Sequence, residues 1–501
     1  MNKIADRAAI EALQPSSVWK FFAGLAATPR PSKREDKIRA HIHATVKSLG
    51  FAAREDHVHN IIVEAPATKG YEKAPLTVLQ AHLDMVPEKN AGTRHEFDTD
   101  PIRLIIDKDA KGETIVRADG TTLGADNGIG VALALAAATS PEVVHGPLEL
   151  LFTSDEEDGM TGAKGLKPGT FKGKRLINLD SEEDNALYMG CAGGCDTVLT
   201  WRFPAEPVGG DLECCRISIT GLRGGHSGGN IHEGRGSANR LLVRTLLRAK
   251  RDDLRIVQMS GGSKRNAIAR EAWAVVRGAT GFRAAVEAAA RLVEAQAKAE
   301  SFEANAQVRV EDAVEEFPAA VSAHDTKKLL TALAALPHGV LGMHPKVPEL
   351  VETSNNLATL TTDQGADGKS FSITMAMLSR SSSESRMDEA LDQITAIGRM
   401  SDAKIQHANR YPGWEPNVDS PILATCQRIY RELFEESPRV AAIHAGLECG
   451  IIGRQVGGGV DMVSFGPRIE GAHSPDERVW VDSVGKSWKY LKAVLADLAK
   501  G

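Results

Sequence analysis

The sequence predicts an α/β protein with a mostly parallel central sheet and a separate α+β unit inserted into it. Three observations carry this. Short apolar runs alternate with helix-like segments through residues 1–200, the signature of strands joined by helices. Between residues 212 and 400 the rhythm changes. The chain has 501 residues and 42% hydrophobic content, room for two large or about three ordinary domains.

In order, the strand candidates are Asn60–Ala65 (NIIVEA), Leu76–Gln80 (LTVLQ), Leu148–Thr153 (LELLFT) and Leu176–Asp180 (LINLD). Arg34–Leu49 and Ile129–Thr139 are helix candidates between them. Trp201–Asp211 (WRFPAEPVGGD) is rich in Pro and Gly and reads as a crossing between units. Beyond it come strand-like LECCRISITGL, helical SANRLLVRTLLRAK, strand-like EAWAVVRG and the helix RAAVEAAARLVEAQAKAE, with Ala on its inner face and charges opposite. VRVEDAV, LATLTT and FSITMAML add strands, and Arg410–Pro421 reads as a second loop. The boundaries expected are 1–200, 201–407 and 408–501.

Lys and Arg number 60 and Asp and Glu 66, a net charge of −6. That balance argues against binding a nucleic-acid backbone, which needs a basic face. Six cysteines in so long a chain do not make a disulfide scaffold. The N-terminus lacks the pattern of a secretory leader, and GIGVALALAAA is too short to span a bilayer. A cytoplasmic protein without nucleic-acid or membrane partners is expected.

Acidic and imidazole groups gather where the expected strands end. His82 and Asp84 are two apart, so on an extended chain they face one side, and the Asp could orient the His as a metal ligand. Alone, such a pair is more often a solvated strand end. Asp126 in GADNG opens a helix and alone reads as a cap. Glu156 and Glu157 in DEED alone read as a solvated acidic turn; beside a dication one could ligate while the other stays free as a base. Asp180 ends LINLD, and His473 lies in the polar loop GAHSPDE. Jointly the set is persuasive, because sites in open α/β sheets form at the carboxyl ends of strands. Nitrogen and oxygen donors suit zinc, with manganese or cobalt as alternatives.

AHLDMVP, GTTLGADNGIG, TSDEEDGM, INLDSEE, YMGCAGG, GLRGGHSGG, HAGLECG and GAHSPDE resemble the cytosolic non-specific dipeptidases. These are also called aminoacyl-histidine or Xaa-His dipeptidases, and they belong with the co-catalytic di-zinc peptidases that include carboxypeptidase G. The resemblance implies a catalytic domain interrupted by a lid domain and two divalent cations. His82 and Asp180 would hold one cation, Glu157 and His473 the other, and Asp126 would bridge them. Asp84 would orient His82, Glu156 would be the general base, and the Asp126–Asn127 peptide would be cis. Two dications against three carboxylates and two neutral imidazoles leave one positive charge, which a bridging hydroxide cancels; a metal lowers the pKa of water to about 7.

In the lid, the resemblance gives His226 to the oxyanion, from its own chain or a partner subunit, and Arg380 to the substrate carboxylate, which a planar guanidinium suits. Asn266 would position substrate, although Ala269 stands where relatives commonly have Pro. His444 and Glu448 are four apart; on a helix they would share a face and could meet the substrate amine. The expected enzyme is a homodimeric, metal-dependent dipeptidase acting on unblocked dipeptides, including Xaa-His and carnosine-like β-alanyl peptides. An amidohydrolase of N-acyl amino acids is the alternative, and a silent binding protein is disfavoured because every expected position is occupied.

Overall fold

The strands Thr77–His82 and Leu148–Thr153 are buried at every residue, as strands covered on both faces must be. They pair in parallel, with His82 opposite Thr153, and Thr77–His82 pairs in parallel with Arg175–Asn178 on its other side. Asp461–Ser464 continues the parallel set beside Arg175–Asn178. These four are the centre of an eight-stranded sheet. Ala52–Glu55 and Ile61–Ala65 extend it antiparallel beyond Leu148–Thr153, and Ala186–Cys191 and Arg439–Ile443 complete the other side. The expected strand Leu176–Asp180 ends at Asn178, which leaves Asp180 just past the sheet.

The structure, a computed structural model, describes residues 4–501 except 210, 302, 314–316 and 366–367. The chain divides into two compact units. One comprises Met1–Gly190, Trp414–Ala442 and Leu447–Gly501, the other Cys191–Gly413 and Ile443–Gly446. No helix among the described residues is long and apolar enough to cross a membrane.

In the first unit the helix Ala125–Thr139 packs against the helix Ser16–Ala26 and the strand Thr77–His82. It is buried from Asn127 to Ala138, which explains its lack of a polar face. Gly130 permits the approach: a Cβ there would lie 2.6 Å from the Leu179 carbonyl oxygen. A four-stranded antiparallel sheet, ordered Ile469–Glu470, Arg478–Trp480, Thr114–Ala118 and Leu104–Lys108, presents the hairpin loop that holds His473 and Glu477.

The second unit is built on a nine-stranded sheet whose pairings are antiparallel. The helix Phe282–Glu300 turns Val286, Ala289, Ala290, Val293 and Ala297 into its core, the stripe read from the sequence. The segment expected as a crossing is different. Trp201–Pro204 finishes the long strand Gly193–Pro204, which pairs with Ser370–Ser381 along its length. Leu199, Trp201 and Phe203 face the core while Arg202 is exposed. The period-2 alternation was present; the Pro and Gly residues obscured it, although Pro204 only occupies the strand's last position, where no further pairing is needed. Arg410 and Tyr411 likewise close the strand Lys404–Tyr411, and Pro421 starts the helix Pro421–Phe434.

Trp201 is 1% exposed and its indole N–H donates to Ser401 Oγ at 3.0 Å. Trp201→Ala is expected to destabilise the second unit by about 3–5 kcal/mol, as large-to-small core changes do, seen as a lower urea midpoint for its unfolding; an unchanged midpoint would contradict this packing.

Candidate metal centre

The carboxyl ends of three adjacent parallel strands supply the centre. His82 is the last residue of Thr77–His82. Glu156 and Glu157 begin a short helix just after Leu148–Thr153, and Asp180 follows Arg175–Asn178. Asp126 enters from the start of Ala125–Thr139, where its φ/ψ are non-helical and the Asp126–Asn127 peptide is cis. The hairpin loop delivers His473.

His82 Nε2 lies 3.0 Å from Asp126 Oδ1 and 3.3 Å from Asp180 Oδ1. His473 Nε2 lies 2.9 Å from Glu157 Oε2 and 3.4 Å from Asp126 Oδ2. Asp126 therefore offers one oxygen to each imidazole. His82 Nδ1 is 3.3 Å from Asp84 Oδ1. The two oxygens of Asp84 also accept the N–H groups of Glu156 at 3.0 Å and Glu157 at 3.2 Å.

The electrostatics of this group show a shortage of positive charge. Burial opposes ionisation of Asp126, but hydrogen bonds from His473 and His82 outweigh it and hold the carboxyl well below its ordinary range. Hydrogen bonds to Asp126 and Glu157 push His473 up to about 11. Burial opposes charge on His82, yet Asp180 and Asp126 raise it well above its ordinary value. Burial pushes Asp180 up to about 7. Burial, with repulsion from Asp180, Glu448 and Glu157, lifts Glu156 well above the carboxylate range. Without cations, protons must balance the carboxylates; divalent cations would balance them better. The donors fit: one atom each from His82, Asp126 and Glu157 lie within 4.8 Å of one another. Asp180 Oδ1, 3.3 Å from His82 Nε2, is buried without a well-aligned hydrogen bond. Nitrogen and carboxylate donors of this kind suit zinc.

Glu448 also belongs to this unit. It is fully buried, and its Oε2 accepts from Gln80 Nε2 and Thr153 Oγ1, both at 2.6 Å, while Oε1 is unpartnered. Burial pushes its carboxyl up to about 7. The shared helix face expected for His444 and Glu448 does not exist. The helix is Glu448–Gln455 and Leu447 before it is extended, so His444 lies outside the helix and in the second unit. Gly446 and Leu447 break the continuity that a spacing of four assumed.

The remaining expected residues are gathered within the second unit. Arg380 is 5% exposed; its Nε donates to Ser227 Oγ at 3.4 Å and its Nη1 to Tyr411 Oη at 3.2 Å. His226 Nδ1 accepts the N–H groups of Gly228 at 3.3 Å and Gly229 at 3.1 Å. An amide can only donate, so the neutral ring carries its proton on Nε2. Burial and then Arg380 hold the His226 pKa below its ordinary value, favouring the neutral ring. Asn266 is exposed, and its carbonyl accepts the Ser227 N–H at 2.8 Å. His444 Nε2 is 2.7 Å from Ser354 Oγ, and burial and then Arg380 push it down to about 3.

The sequence pattern of peptidase family M20/M25/M40 matches residues 78–497. The chain belongs to this family. It is 40% identical over 489 residues to the cytosol non-specific dipeptidase of Escherichia coli K12, covering 97% of this chain and 98% of that one. It also matches the crystal structure of an aminoacylhistidine dipeptidase from Vibrio alginolyticus, with a TM-score of 0.89 and 39% identity over 97% of this chain and 98% of that one. A tripeptidase from Staphylococcus aureus, 15% identical over 98% of this chain and 100% of that one, shares the fold with a TM-score of 0.60. As a member of the family, the protein is a peptide-bond hydrolase.

Several residues that build this M20 site escaped the sequence reading. Glu477 is 2% exposed, and its two oxygens accept four successive backbone N–H groups. Oε2 takes Leu123 at 2.8 Å and Gly124 at 2.9 Å; Oε1 takes Ala125 at 2.7 Å and Asp126 at 3.2 Å. Arg30 donates to the carbonyls of Leu83 and Asp84, each at 2.9 Å, and of Gly124. Glu182, pushed up to about 9 by burial and by Asp126 and Asp180, adds another acid. Glu477 lies in the quoted HSPDE run, so position alone could have flagged it; nothing local marks Arg30.

A ligand that binds only the folded form stabilises it by about 2.7 kcal/mol at a hundredfold excess over Kd, so zinc is expected to raise the Tm. Glu477→Gln sets an NH2 group against backbone donors and is expected to weaken zinc binding about 10–100-fold. Zinc titration followed by Tm checks both; wild-type affinity in the variant would contradict the role of Glu477.

Proposed function

We propose that this M20 peptidase is a metal-dependent dipeptidase of unblocked dipeptides, including Xaa-His and β-alanyl-histidine. The observation that carries the reading is the geometry of Asp126, with one oxygen toward His82 and the other toward His473, while Glu156 belongs to the same acidic group. The names of the two similar dipeptidases support the substrate class.

His82 and Asp180 would hold one divalent cation, Glu157 and His473 the other, and Asp126 both. Zinc suits these donors, and cobalt or manganese would also be accepted. Such a pair, when bound, supplies the positive charge that acidifies water and polarises a scissile carbonyl.

Asp84 orients His82 and, through the Glu156 and Glu157 N–H groups, holds the acidic turn in place. Glu156 takes the proton from the attacking water and returns it to the departing amine. His226 carries its proton on Nε2 and donates it as a hydrogen bond to the developing oxyanion. Arg380 has no acidic partner among the described residues and takes the substrate carboxylate. Asn266 and His444 help seat the substrate. The unpartnered oxygen of Glu448 provides an acceptor for a free amine, which favours unblocked dipeptides over N-acyl amino acids.

Glu156→Gln is expected to keep its metal and lose about 10²–10⁴ in kcat, the usual weight of a general base. Zinc content and steady-state rates on alanyl-histidine check this, and wild-type kcat in the loaded variant would remove Glu156 from the mechanism. On the wild type, a matched pair of free and N-acetylated dipeptides should show hydrolysis of the free form alone; faster cleavage of the acetylated one would favour a deacylase.

A further inference from the structure

The turn between Leu148–Thr153 and Glu156 is held by side chains from elsewhere in the first unit, one backbone donor after another. Ser154 N–H donates to Asn60 Oδ1 at 3.2 Å and Asp155 N–H to Glu35 Oε1 at 3.1 Å. Glu156 and Glu157 N–H groups donate to the two oxygens of Asp84. Asp155 has φ 50°, a left-handed conformation that a non-glycine residue keeps only when its surroundings enforce it. Of these anchors, Glu35 has no place in the chemistry proposed above.

Glu35 is 3% exposed and precedes the helix Asp36–Ser48. Its Oε1 also accepts the Lys33 N–H at 3.0 Å. One oxygen each from Glu35, Asp84 and Asp155 lie within 4.8 Å of one another. Glu35 Oε2 and Asp155 Oδ1 are both buried without a hydrogen-bond partner. Buried acceptors crowded in this way repel unless a donor stands between them. A carboxylic acid at position 35 supplies that donor, in keeping with burial pushing Glu35 up to about 7.

We propose that Glu35 is a positioning residue of the hydrolase, whose carboxyl locks the left-handed turn at Asp155 and so sets Glu156 and Glu157 together against Asp84. The proposal rests on the roles given to Glu156 and Glu157 under the proposed function. Glu35 acts through the backbone of the turn, so it affects the placement of both glutamates and leaves the seat of the substrate ends alone.

Glutamine at position 35 keeps an oxygen for the Asp155 N–H and offers an NH2 group to the crowded carboxylates. Aspartate keeps the carboxyl but is one methylene too short. The test compares Glu35→Gln, Glu35→Asp and Glu35→Ala in the full-length, zinc-loaded enzyme. It reads kcat and KM on alanyl-histidine and, separately, zinc affinity by chelator competition. Glu35→Asp and Glu35→Ala are expected to lose about 10–100-fold in kcat and in zinc affinity, the range for outer-shell residues, with KM within about twofold. Glu35→Gln is expected to stay near wild type in both. Wild-type kcat and zinc affinity in Glu35→Ala would overturn the proposal. So would Glu35→Gln weaker than Glu35→Asp, which would make Glu35 a required charge. If Glu35→Ala does not fold, the order of the other two decides. Should the wild type cleave no dipeptide, the proposed substrate class fails; zinc affinity still tests the role of Glu35, with the same order supporting it and the reverse order overturning it.

Discussion

One carboxylate facing two imidazoles organises the first unit. Asp126 can offer an oxygen to His82 and another to His473 only if a helix start, a strand end and a hairpin loop meet within a few ångströms. Much of the surrounding structure enforces that meeting. Glu477 takes four backbone N–H groups of the segment leading into Asp126, Arg30 ties Gly124 to Leu83 and Asp84, and Asn127 Nδ2 donates to the Leu179 carbonyl beside Asp180. Each contact joins segments far apart in sequence. Burial, together with the neighbouring acids, raises the carboxyls of Asp180 and Glu182, and bound dications would relieve that cost.

Two consecutive glutamates divide the proposed work because the turn beneath them is rigid. Side-chain acceptors hold its backbone from Ser154 to Glu157, so Glu157 can face His473 while Glu156 keeps a separate direction. Asp84 links this turn to His82, which couples placement of a ligand to placement of the base. In the second unit a similar economy sets the tautomer of His226. Two backbone N–H groups occupy Nδ1 and leave Nε2 as the donor, so no acidic partner is needed to orient the ring.

The parts of this arrangement legible in the sequence were those written in local pattern. Leu148–Thr153 was bounded correctly because an apolar run buried on both faces has no competing period. His82, Glu157 and Asp180 stood out because they follow such runs, and the structure does bring them together with Asp126 and His473. Proline and glycine misled where they sat at the end of a long alternating strand, as at Trp201–Pro204. At His444 and Glu448 a shared face depended on a helix across both, and the chain becomes helical only at Glu448. Glu35 and Arg30 were invisible for a different reason: their importance lies in which distant backbone groups they reach, and no local period encodes that.

Anomalous X-ray scattering at the zinc edge from crystals of the zinc-loaded protein tests the central claim most directly. Two peaks should flank Asp126, one beside His82 and Asp180 and the other beside Glu157 and His473. A single peak, or zinc bound away from Asp126, would contradict the account.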